Sequence, residues 1–197
     1  MTRYRLLALV CLCAASVAAD DQSNTVDVSR DSGGSMLTQL PQTTTIWNDG
    51  SSLQRQFIAI HDSRLPVDIV GTPGPTMELS GEDEYRYTTS MQIIPNTQVD
   101  AVEVRFVLFD VWGDPMVTLA TSRVCDFTGG QYRIEGAWPA TEHDCRRLYA
   151  SICYVSRIRT HDGRIITAAP QPVIAEGQRF DPNFDVDKLT PTFFSNK

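Results

Sequence analysis

The sequence predicts an all-β sandwich, and three observations carry that prediction. From Phe57 onward, short β-branched and aromatic runs alternate with Gly, Pro, Asn and Asp turn signals. Within the longest runs apolar side chains recur at every second residue, the period of a strand. Asp162-Gly163 separates two such runs, which is the signature of a tight hairpin turn.

Taken from the start, residues 1–19 read as a signal peptide. Arg3 and Arg5 are followed by the apolar stretch Leu6 to Ala15, and Ser16-Val17-Ala18-Ala19 supplies a small-residue cleavage site before Asp20. A membrane-spanning helix needs about twenty apolar residues, so this shorter stretch points to export, periplasmic or secreted, and not to a span. Neither Cys11 nor Cys13 follows the small residue of a lipoprotein signal. Residues 20–53 form a polar leader rich in Ser, Thr, Gln and Asp. Its apolar content is too low to offset the entropy of ordering, so a mostly disordered linker is expected from Asp20 to about Thr45.

The domain proper is expected over residues 54–175, with about seven to nine strands. Gln56 to Ile60 opens it. Leu65 to Val70 follows, and Gly71-Thr72-Pro73-Gly74-Pro75 after it admits no helix. Tyr85 to Ile94 ends at Pro95-Asn96. The run Val99 to Val111 has two readings along its length. Val102, Val104, Phe106 and Leu108 share one face with Glu103 and Arg105 opposite, whereas Val107, Phe109 and Val111 make the second face apolar further on. Such a strand sits centrally, with one end under a loop or the tail. Trp112-Gly113-Asp114-Pro115 ends it, since Gly113 permits a tight turn and Pro115 has no N–H for a ladder. Met116 to Val124, Gln131 to Ile134, Leu148 to Thr160 and Arg164 to Ala168 complete the set. In the run from Leu148, the even residues Ala150, Ile152, Tyr154, Ser156 and Ile158 are assigned to the core.

Residues 176–197 lose this periodicity and form a C-terminal tail. Its aromatics, Phe180, Phe184, Phe193 and Phe194, either fold back over a sheet face or serve as a recognition peptide. Asp181-Pro182 has the residue order that starts a single helical turn.

The segment Phe106-Val107-Leu108-Phe109-Asp110, with Tyr154 to Gly163 (YVSRIRTHDG) further on, resembles small secreted bacterial immunoglobulin-like domains named for a Phe-x-Leu-Tyr-Asp motif. Phe109 stands where that family has Tyr. The resemblance covers residues 80–170. It implies an immunoglobulin-like or fibronectin-like sandwich on an exported protein, and it supplies no catalytic residues.

Without the first nineteen residues, 15 basic face 24 acidic residues, a formal charge of −9. That balance argues against nucleic acid as a partner. Cys125, Cys145 and Cys153 remain in a compartment where disulfides persist, and an odd number leaves at least one thiol unpaired. A Cys125–Cys145 bridge is expected, because Cys125 ends a strand, Cys145 sits in the irregular segment 140–147, and Cys153 is mid-strand.

No chemistry-bearing group stands at the spacing a mechanism needs. His61, His143 and His161 are each followed by Asp but lie on a strand end, a loop and a hairpin turn. No Gly-x-Ser-x-Gly elbow is present, no Cys-x-x-Cys pair offers a metal site, and Glu82-Asp83-Glu84 reads as a solvated turn. Neither catalytic residues nor a cofactor nor a metal is expected. Trp47, Trp112 and Trp138 remain, of which Trp112 and Trp138, at strand ends, are the candidate partner contacts. The sequence thus favours an exported, non-enzymatic binding module for a protein or cell-envelope component. A structural cell-envelope or surface-assembly subunit and an envelope hydrolase are the alternatives.

Overall fold

The computed structural model describes residues 26–32, 55–79 and 84–192, with the backbone alone for 26–32. Residues 1–19, Trp47, Glu82, Asp83, Phe193 and Phe194, on which several expectations fall, lie outside the described residues. Among those described, ten strands form two sheets: β1 (Val26–Ser32), β2 (Gln56–Asp62), β3 (Val67–Val70), β4 (Thr76–Leu79), β5 (Tyr85–Pro95), β6 (Val99–Asp110), β7 (Pro115–Phe127), β8 (Tyr132–Ala140), β9 (Leu148–Thr160) and β10 (Ile165–Thr167). Helix α1 (Glu142–Arg147) precedes β9, and α2 (Pro170–Gly177) leads from the domain into the tail.

The first sheet runs β1-β2-β9-β6-β7, with β10 on β9 beyond the end of β2. In the second, β5 is central, with β3 and β4 end to end along one edge and β8 along the other. Tyr87, Met91, Ile93 and Ile134 from this sheet meet Val102, Val104, Phe106, Leu108, Leu119 and Cys153 from the first in one core. The molecule is an all-β sandwich, as the period-two runs predict.

A second apolar cluster lies on the outer face of the first sheet. Ile58, Ile60, Val107, Phe109, Ile152 and Tyr154 are buried there under Val173 of α2 and Phe184 and Leu189 of the tail. Phe109 stacks on Phe180 with ring centroids 4.8 Å apart and touches Phe184 at 5.4 Å. Polar anchors fix the cover: Arg105 Nη1 donates to Leu189 O (2.9 Å) and Thr118 Oγ1 to Lys188 O (2.6 Å). The helical turn in this tail is the 3-10 turn Val186–Leu189, capped by Asp185, whose carboxylate accepts from Asp187 N. Asp181-Pro182 starts a single hydrogen-bonded turn of its own: Asp181 Oδ1 accepts from Asn183 N and Asp181 O from Phe184 N, both at 2.9 Å.

This third layer corrects the assignment in β9. Ala150, Ile152 and Tyr154 face the tail, while Cys153 and Val155 face the inter-sheet core. A bulge then shifts the register, since Glu103 pairs with Arg157 and Val104 with Val155. The extra residue, Ser156, turns Ile158 into the inter-sheet core, so the even set is split between two cores.

Three further departures have physical reasons. Val26–Ser32 of the leader pairs with β2, covering an edge whose Phe57-Ile58-Ala59-Ile60 would otherwise present a bare ladder. β8 continues past Ile134 through Gly136 and Pro139 because it is an edge strand, where a missing N–H breaks no second ladder. Segment 142–147 is helical, not irregular: Thr141 and Asp144 form a capping box.

The expected Cys125–Cys145 bridge is not formed; all three described cysteines are free thiols. Val124 pairs with Ala101 near the start of β6, whereas Leu148, three residues after Cys145, pairs with Asp110 at its end. Nine residues of strand separate those levels, roughly 30 Å. Bridged cysteines need Cα atoms within about 7 Å. The apolar pattern suggests a strand end at Val124, but β7 runs on to Phe127, and β8 carries the chain back to the opposite end before α1 begins.

Candidate functional site

The turn between β6 and β7 is the most tightly built surface feature. Asp110, the last residue of β6, is fully buried. Its Oδ1 accepts from Trp112 N and Asp114 N, both at 2.9 Å, and its Oδ2 pairs with Arg147 from the end of α1. The backbone closes the same loop, with Gly113 N on Asp110 O and Asp110 N on Asp114 O, each 3.0 Å. Gly113 holds φ at +89°, and a Cβ there would lie 2.5 Å from Phe180 O of the tail. One buried carboxylate thus ties the turn to the sandwich and the tail supports it from behind.

On this support Trp112 is 77% exposed. Because the backbone that carries this ring is already clamped from two sides, binding through it would cost little backbone entropy. Trp138, the other expected contact, is placed differently. Its ring meets Phe106 edge-on at 6.2 Å, its Nε1 donates to Ala120 O, and it lies over Gly136, where a Cβ would collide with the indole. It plugs one side of the core. The depression beside it, about 500 Å³, is lined by Glu84, Tyr85, Arg86, Ala137 and Pro139 and does not include Trp112. The structure therefore does not bring the two tryptophans into one site.

The groups that could carry chemistry stand apart. On the hairpin turn His161 Nδ1 is 3.0 Å from Asp100 of β6, and His143 Nε2 is 3.4 Å from Arg147 Nη1; His61 sits in β2. Both contacts are solvent-exposed, and in neither is the partner a hydroxyl or thiol that the imidazole could activate. Burial pushes the Cys145 thiol up to about 11 and raises that of Cys153 further, the reverse of what activates a thiolate. Among the described residues no group of three or more His, Cys, Asp or Glu could hold a metal ion. A polar trough of about 580 Å³ on the outer face of the second sheet has Thr76, Thr88, Ser90, Arg86 and Arg133 in its lining but no histidine. Its hydroxyls bond each other, Thr76 Oγ1 to Thr88 Oγ1 at 2.8 Å.

Sequence reasoning singled out Trp112 but missed what holds the turn that carries it. Arg147 lies 37 residues from Asp110, and only the return of β8 and α1 to that end brings them together. The available signal was an Asp closing an apolar run just ahead of Trp112-Gly113-Asp114. Among the described residues no helix is long and apolar enough to cross a membrane. No family model, no curated protein and no solved structure matches the chain.

Proposed function

We propose that this chain is an exported, immunoglobulin-like interaction module without turnover of its own, and that it engages a protein or cell-envelope partner through the Trp112 turn. The observation that carries the reading is Trp112 itself: an indole 77% exposed on a turn that a buried carboxylate and the tail hold rigid. An aromatic side chain carried on an ordered turn offers large contact area with two side-chain torsions to fix, and Trp is enriched among residues that dominate interfaces. The immunoglobulin-like assignment is supported by the strand arrangement. Strands β3, β4, β5 and β8 form one sheet and β6, β7, β9 and β10 belong to the other, the division expected of a Greek-key sandwich. Fold alone does not assign a function, so the weight rests on the turn.

Assembly through strand addition is less well supported, because β7, the long edge of the first sheet, is partly occupied. Thr118 O accepts from Thr192 N, and Ala120 O from the Trp138 indole.

The test is capture by the immobilised chain from an envelope extract, wild type against Trp112→Ala. The reading expects discrete partners that the variant loses while its thermal midpoint stays within about 2 °C of wild type. Equal capture by the variant, or a hydrolytic activity lost on replacing His61, His143 or His161, would refute it.

A further inference from the structure

The tail covers only part of the outer face of the first sheet. Beyond Arg105, toward the start of β6, that face is bare. Register places Val124, Ala101, Arg159 and Ile165 in one cross-strand row over β7, β6, β9 and β10. Val124 and Ile165 are 79% and 65% exposed, although both are large apolar residues. A shallow depression of about 250 Å³ runs along this row and the next, where Ser122, Glu103 and Arg157 stand side by side. Arg157 is already engaged by Glu103. Arg159 has no ion-pair partner among the described residues.

The same face carries the complementary feature. In the 3-10 turn of the tail Val186 is 55% exposed, and its neighbours Asp185 and Asp187 are exposed as well. This acid-flanked apolar knob sits over β6 and β7, since Leu189 O accepts from Arg105 and Lys188 O from Thr118. Arg105 is four residues from Ala101 on β6, so knob and shelf lie roughly 13 Å apart along one surface.

We propose that the shelf docks the 185–187 turn of a second copy of this chain. A two-fold axis between two such faces, perpendicular to the strands, sets the knob of each copy on the shelf of the other. Val186 then enters between Val124 and Ile165, and the flanking carboxylates meet Arg159. The contact occurs twice and closes on itself, so it yields a dimer and not a filament. Local charge complementarity points to this occupant: the exposed Asp185 and Asp187 flank Val186, and Arg159, without an ion-pair partner among the described residues, stands between Val124 and Ile165 on the shelf. The dimer face does not include Trp112, so its failure and that of the proposed partner site are separate results.

The test is sedimentation equilibrium on the full chain and on two variants, Arg159→Glu and Asp187→Arg. Both positions are exposed, so folding is expected to survive and is checked by circular dichroism. Wild type should associate reversibly. Each variant alone sets like charges against each other and should weaken association at least about tenfold. Mixed one to one, the acidic shelf of the first variant receives the basic knob of the second, and the unaltered shelf of the second receives the unaltered knob of the first. Affinity should then return to within about threefold of wild type. Val124→Ser, which removes only the apolar wall, should weaken association without rescue by mixing, and it replaces either charge variant that has lost its β-sheet spectrum. Wild type that stays monomeric up to about 1 mM, variants that associate as well as wild type, or a mixture no tighter than its components would overturn the proposal.

Discussion

Glu103 shows how a charged residue is kept on a mostly buried strand. Its Oε1 accepts from Ser156 Oγ (2.7 Å) and Arg105 Nε (2.9 Å), and its Oε2 from Arg157 Nε (2.9 Å). Burial alone would raise its pKa, but the hydrogen bonds from Ser156, Arg157 and Arg105 outweigh burial and hold it below the ordinary carboxylate value. A depressed folded pKa means that the carboxylate stabilises the fold above its unfolded pKa, about 4.3, and that this contribution is lost as pH falls through the lower folded value. Glu103→Gln should therefore be less stable than wild type by about 1–2 kcal/mol at pH 7, with the gap closing below about pH 4. Urea unfolding at pH 7 and pH 3 reads this directly, and an equal gap at both would contradict it. Thr89 offers the opposite case. Its hydroxyl is buried in the inter-sheet core without a hydrogen-bond partner, so Thr89→Val keeps the shape and removes a desolvation cost. A gain of about 1 kcal/mol is expected, and a loss in thermal unfolding would show that the hydroxyl does have a partner.

At the scale of elements, the period-two pattern of β6 was legible and correct: Val104, Phe106 and Leu108 are buried between the sheets, and Phe109 lies under the tail. Phe106→Ala should cost about 3–5 kcal/mol in urea unfolding, because it empties a fully buried ring site against Trp138. The same pattern could not tell which core β9 faces, since alternation marks two faces without naming what covers each. It also could not show that Ser156 bulges and flips the register. β1 was invisible for a different reason. Val26–Ser32 has little apolar content, and it is ordered by the unpaired edge of β2, not by its own propensity. The tail is the element that makes the second face possible. Phe184 is buried against Phe109, and Gly177 leaves room for its ring, where a Cβ would lie 2.3 Å away. Phe184→Ala should lower stability by about 3 kcal/mol and expose the outer face to a hydrophobic dye. Unchanged stability would mean that the tail is an ornament on a two-layer fold.

The whole molecule is a sandwich with a partial third layer, and its ends differ. One end carries the Asp110–Arg147 clamp and Trp112, while the other leaves Val124 and Ile165 bare beside Arg159. This polarity was only half legible in the sequence. Trp112 stood out as an aromatic at a strand end, but the clamp joins residues far apart in the chain and the shelf joins four strands. Both depend on register, which a single sequence does not display. The proposed role follows from that polarity, because an exposed indole on a clamped turn contributes little to the fold and is free to contribute to a contact. The central claim is that Trp112 touches a partner. Its most direct test is photo-cross-linking in the cells that make the protein, with a benzophenone side chain in place of Trp112. A discrete adduct of defined mass, absent when the same probe replaces the exposed Val70, is the predicted result; no adduct at position 112 would contradict the account.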